Sequence, residues 1–169
     1  MDSTRHMIEE EPSKISLSFL IEVLNRDNNI YLFFEMNKLG VGYHEYQFLF
    51  YLYHEKTAIQ EELAKRFKKN ESTITRALKK LEDKDLIKRE QDENNRRRNI
   101  VSLKKKGIKT VEQIQKADKI WEKEILSALS SEERIKIKKA LKKIAISSFE
   151  IREEIRMNEF HEKTKDRLI

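Results

Sequence analysis

The opening residues, Met1 to Pro12, are polar and unpatterned, and this stretch is expected to be a disordered tail. From Ser13 to Leu39 the apolar residues Ile15, Leu20, Leu24, Tyr31, Phe34 and Met36 recur at roughly helical spacing, which predicts one long helix. Gly40 and Gly42, on either side of Val41, read as its stop and a turn. His44 to Tyr53 is apolar on nearly every side and reads as a buried helix. Thr57 and Gln60 fit a capping box, followed by an apolar stripe of Ile59, Leu63 and Phe67. Asn70 is the expected cap of the next helix, with Ile74, Ala77, Leu78 and Leu81 on one face. After Asp85 the period changes. Leu86–Glu90 and Asn99–Leu103 are short β-branched runs around the polar loop Gln91–Arg98, the pattern of a hairpin. Helical spacing returns with Val111, Ile114, Ala117, Trp121 and Ile125. Ser130 or Ser131 then caps a last helix carrying Ile137, Leu141, Ile144, Ile151 and Ile155.

Three helices and a hairpin between long flanking helices is the order of a winged helix-turn-helix. The expected fold is mainly α with a small β-hairpin. Residues 1–12 form the tail, 13–39 an N-terminal dimerisation helix, 40–103 the winged unit and 104–169 C-terminal dimerisation helices. The apolar stripes on the first helix and the last two would be exposed in a monomer, so a homodimer is expected. Three Gly and one Pro in 169 residues are too few for an all-β fold, which needs frequent turns. With no cysteine, disulfides, zinc–thiolate sites and thiol chemistry drop out together. No uncharged apolar run reaches the ~18 residues of a membrane helix and no signal pattern opens the chain, so a cytoplasmic protein without membrane contact is expected.

The formal charge of +6 is unevenly spread. Residues 1–64 carry a net −6, residues 65–106 a net +9 and residues 107–169 a net +3. A basic block is compatible with an ordinary solvated surface, so its shape has to decide. On a helical wheel of about 100° per residue, Ala77, Leu78 and Leu81 fall near Ile74, and Ser72, Arg76 and Lys79 fall opposite, flanked by Thr73 and Lys80. That suits a helix entering the major groove: Arg76 can donate twice to guanine, and short Ser72 and Thr73 allow close approach. Lys79 and Lys80, near the helix end, are better placed for phosphate. The hairpin loop adds Arg96, Arg97 and Arg98, where a wing would lie along the neighbouring minor groove. Double-stranded DNA is therefore the expected partner.

From about Leu39 to Gly107 the chain closely resembles the MarR family of transcriptional regulators. The residues that carry this are Asn70 to Glu82, Asp92 to Arg97, Val101 to Leu103, Gly107, Leu39-Gly40 and Tyr46. The resemblance implies that Arg97 enters the minor groove and that Ser72, Thr73 and Arg76 face the major groove. It also implies a small aromatic or lipophilic effector near the junction with the dimerisation helices, where Tyr43 and His44 are candidates. The thiol switch used by some members is excluded here. Three positions depart from the family pattern: Asn95 replaces the aspartate before the wing arginines, with Asp92 as a substitute. Asp85 replaces a glycine after the recognition helix, and Gly42 replaces the threonine that would cap the second helix.

The histidines His6, His44, His54 and His161 lack metal-ligand spacing, and no glycine-rich phosphate loop or nucleophile–base pair is present; no cofactor, metal or enzymatic activity is expected. The expected function is a sequence-specific, ligand-responsive repressor acting as a homodimer on a pseudopalindromic operator. A winged-helix protein-interaction module and a nonspecific DNA-coating protein remain as alternatives.

Overall fold

The computed structural model describes residues 3–93, 95 and 98–165, with side chains from Thr4 to Asn158 apart from positions 94, 96 and 97. The chain divides into two units, at Glu122 and Lys123.

In the first unit, the expected tail contains a short helix, α1 (Ser3–Ile8), and a single 3-10 turn at Pro12–Lys14. The long helix begins later than its apolar pattern suggested, because Ser16 accepts the Phe19 amide at 3.1 Å and caps α2 (Leu17–Lys38). Gly40, at φ +66°, ends it, and the Val41 amide turns back to the Met36 carbonyl at 3.0 Å. Helix α3 (Tyr43–Glu55) then buries Phe48, Leu49 and Leu52.

The residues read as a capping box instead form a strand, β1 (Thr57–Ile59). It completes a three-stranded antiparallel sheet of order β1-β3-β2 with β2 (Ile87–Gln91) and β3 (Asn99–Leu103). Thr57 pairs with Ser102 and Ile59 with Ile100, while Ile87 pairs with Leu103 and Gln91 with Asn99. Helices α4 (Gln60–Phe67) and α5 (Glu71–Asp83) lie between β1 and β2 in sequence. One core joins α3, the sheet and both helices through Leu49, Leu63, Ile74, Leu78, Ile87 and Val101.

Helix α6 (Lys105–Ile125) buries Val111, Ile114 and Ala117. Most of it therefore belongs with the winged unit, whereas the sequence reading divided the two at residue 103. Gly107 permits that docking: a Cβ there would lie 2.1 Å from the Leu86 carbonyl oxygen.

The second unit holds α7 (Ser131–Lys165), opened by a capping box in which Ser130 and Glu133 bond each other's backbone amides. No described side chain of α7 is buried.

Candidate nucleic-acid interface

Helix α5 presents the site, and its orientation is set at both ends and on two sides. Asn70 Oδ1 accepts the Thr73 amide at 2.8 Å, a cap of the kind worth about 1 kcal/mol. Ile74, Leu78 and Leu81 are fully buried on the inner face. Gln60 on α4 donates to the Thr75 hydroxyl at 3.0 Å, which is where its amide goes in place of the expected capping box. Near the other end Arg89 of β2 donates through Nε to Glu82 at 3.0 Å, with a second, shorter contact from its NH2 group. That bond, working against burial, holds the Glu82 carboxyl below its ordinary value.

Lys84, just past the helix, ties α5 to the α2–α3 turn. Its ammonium donates to both Glu45 oxygens, at 2.7 and 2.9 Å, and to the Gly40 carbonyl at 2.8 Å. Burial alone would push the Glu45 carboxyl up. The Lys84 ammonium and the Gly42 amide, 2.9 Å away, outweigh burial and pull it below 4.5. Gly42 has no hydroxyl to accept the Glu45 amide, and only the other half of a capping box is present: the Glu45 carboxylate accepts the Gly42 N–H.

The outer face carries the residues chosen from the helical wheel. Ser72, Arg76, Lys79 and Lys80 are exposed, and Thr73 is half-buried. The Ser72 hydroxyl donates to Asn70 at 2.9 Å, so in this arrangement it offers solvent an acceptor rather than a proton. Arg76 donates through Nε to the Ser72 carbonyl at 3.4 Å, a bond at the long limit. Thr75, which the wheel passed over, is also exposed on the flank, held by Gln60.

The wing is closed by its own backbone. The Asp92 amide donates to the Arg98 carbonyl at 3.0 Å, and the Arg98 amide to the Asn95 carbonyl at 2.8 Å. Arg98 is exposed. Arg96 and Arg97 lie outside the described residues, so the minor-groove contact assigned to Arg97 has no structural description. Asp85 takes φ +60°, the left-handed region that glycine enters freely, and its carboxylate receives Lys104 at 2.6 Å.

Residues 43–98 of this fold match the model of the MarR family. Over that segment the chain is similar to MarR-family proteins. It is 26% identical over 129 residues to the HTH-type transcriptional regulator BilQ of Clostridium symbiosum, covering 76% of this chain and 90% of that one. MepR, a transcription regulator of the Staphylococcus aureus multidrug efflux pump MepA, superimposes with a TM-score of 0.70 at 27% identity, over 79% of this chain and 98% of its own. A MepR mutant bound to an oligodeoxyribonucleotide superimposes with a TM-score of 0.65, at the same identity and coverage. The hairpin expected from the sequence is present, with β1 as a third strand.

Tyr43 and His44 meet edge to face, with ring centroids 5.7 Å apart. Tyr43 lines an open cleft of about 390 Å³ with Tyr46, Phe50, Tyr51, His54 and Phe67, and His44 lies outside that lining. Burial, reinforced by Asp118, pushes the Tyr46 phenol up to about 12, which keeps it a neutral hydrogen-bonding group. Among the described residues no group of three or more His, Asp or Glu side chains is arranged to hold a metal ion, and no helix is long and apolar enough to cross a membrane.

Proposed function

We propose that this DNA-binding transcriptional regulator works as a homodimeric repressor in the cytoplasm, reading a pseudopalindromic operator and releasing it when a small aromatic or lipophilic effector binds. The observation that carries the DNA reading is the outer face of α5. Ser72, Arg76, Lys79 and Lys80 project from a helix locked by a cap, a buried face and side-chain bonds to α4, β2 and the α2–α3 turn. Base readout needs that rigidity, since a loosely held helix loses its hydrogen-bond geometry. Arg76 then reads a base edge and Lys79 and Lys80 hold phosphates, while Arg96, Arg97 and Arg98 follow the minor groove. Two-fold symmetry sets the two recognition helices about one helical turn of DNA apart. Tyr43 and the cleft it lines offer the effector an aromatic wall.

The test is selection of bound duplexes from a random pool, repeated with phenolic ligands. An inverted repeat with half-sites spaced by about 10 base pairs, lost on adding ligand, supports the whole reading. An inverted repeat indifferent to every ligand removes the effector and keeps the operator. No enrichment over random duplex at a fixed salt concentration makes the protein a nonspecific DNA binder or a protein-interaction module.

A further inference from the structure

A hydroxyl facing a base edge ordinarily takes either polarity, because it can donate one hydrogen bond and accept two, and so it discriminates poorly. Two exposed hydroxyls on α5 lack that freedom. Ser72 donates its proton to Asn70 Oδ1 at 2.9 Å, an oxygen fixed as an acceptor because it also takes the Thr73 amide at 2.8 Å. Thr75 is the reverse case. Its oxygen accepts from Gln60 Nε2 at 3.0 Å, and among the described residues no group accepts its proton. Thr110 of α6 shows the usual alternative for a helical threonine, donating to the Lys106 carbonyl four residues back at 2.9 Å. The Gln60 carbonyl oxygen is buried without a partner. Turning that amide over would leave its N–H donors there instead, and buried orphan donors are the rarer condition.

We propose that Thr75 reads a base edge as an obligate donor, with Gln60 of α4 as the residue that sets its polarity. This rests on α5 entering the major groove and names a reading residue within that site. A committed donor is met by thymine O4, guanine O6 or a purine N7, and finds nothing on cytosine, whose N4 amine only donates. Ser72, as a committed acceptor, is met instead by adenine N6 or cytosine N4 and finds nothing on guanine or thymine. The two residues are three apart on one side of the helix, about 5–6 Å between Cβ atoms, against about 3.4 Å between stacked base pairs, so they reach neighbouring steps. Gln60, half-buried at the start of α4, is a positioning residue: it acts on the base through Thr75.

The test is duplex selection from a random pool with the full chain and three variants, followed by anisotropy titrations on the parent's best duplex. Thr75→Val, which exchanges the hydroxyl for a methyl, should erase the preference at one base pair of the selected motif and leave the other positions intact. Binding to the best duplex should weaken about fivefold, the loss of one hydrogen bond. Gln60→Met removes the donor and keeps the side chain's length. It should relax the preference at that same base pair while affinity for the best duplex changes by less than about twofold. A purely structural role for Gln60 would lower affinity at every position alike, and that result overturns its assignment. Adding Gln60→Met to Thr75→Val should change nothing further. Equal weakening of every sequence by Thr75→Val makes Thr75 a phosphate contact and overturns the proposal, as does an undiminished preference at that base pair in Gln60→Met. A parent protein that selects no motif overturns base reading by α5 altogether, so the two failures are told apart.

Discussion

Replacing Gly107 with alanine sets two effects of opposite sign against each other. Gly107 lies inside α6, and in a helix interior alanine is about 1 kcal/mol more favourable than glycine. Helix propensity alone therefore forecasts a more stable protein. The structure forecasts the reverse. The new Cβ would sit 2.1 Å from the Leu86 carbonyl oxygen and 3.0 Å from its carbon, whereas a carbon and an oxygen in contact need about 3.3 Å. These are backbone atoms, so no side-chain rotation relieves the overlap, and the start of α6 must move by about 1 Å from the segment leading into β2. Overpacking of this kind costs about 1–3 kcal/mol. The movement also stretches the bond from the Lys104 amide to the Leu86 carbonyl, now 3.0 Å, worth about 1 kcal/mol. After the propensity gain is subtracted, a loss of about 2 kcal/mol remains. Urea unfolding at fixed protein concentration should show the midpoint falling by about 1 M, for a slope near 2 kcal/mol/M. Gln113→Ala, an exposed site on the same helix, should stay within about 0.5 kcal/mol of the parent. An unchanged or raised midpoint for Gly107→Ala would show that α6 is not docked as closely as described.

Arg76→Ala should cost about 1–3 kcal/mol at one base pair of the selected operator and little on random duplex, measured by fluorescence anisotropy; an equal loss on every sequence makes Arg76 a phosphate contact. Arg97→Ala should weaken binding to A·T-flanked sites and reduce its salt dependence, and unaltered binding there removes the wing contact. The folded-state Glu45 carboxyl is lowered, so its stabilising pair with Lys84 is complete above pH 4.5 and is lost as pH falls below it. Glu45→Gln should accordingly destabilise the protein at neutral pH and flatten its acid-unfolding profile, and an identical acid profile would exclude the clamp as a source of pH dependence. Asp85→Gly should raise the thermal midpoint, because glycine adopts φ +60° freely and the exposed pair with Lys104 contributes little; a lower midpoint would mean that this ion pair outweighs the backbone preference.

Helix α5 was legible in the sequence because its determinants are local. Asn70 caps its own first turn, and Ile74, Leu78 and Leu81 are set by the helical period, so its limits and its buried face agree with the structure. Its outward residues followed from the same period, and Ser72, Arg76, Lys79 and Lys80 are exposed there. The stretch 57–60 misled for the opposite reason. Three residues of strand have almost no pattern of their own, and Thr57–Ile59 becomes β1 only because β3, more than forty residues later, supplies its hydrogen-bond partners. A Thr and a Gln three apart offered a plausible local alternative, and pairing at long range won.

By itself, then, the sequence determined the order of the long helices and the hairpin, the face that α5 buries, the basic block that surrounds it and the apolar stripe on α7. Tertiary structure decided what holds the outer face of α5 in place. Lys84 reaches Glu45 and Gly40, Arg89 reaches Glu82, Gln60 reaches Thr75, and Gly107 lets α6 touch the backbone at Leu86. Periodicity and capping act within a few residues along the chain, whereas these contacts depend on distances that exist only once the core has closed.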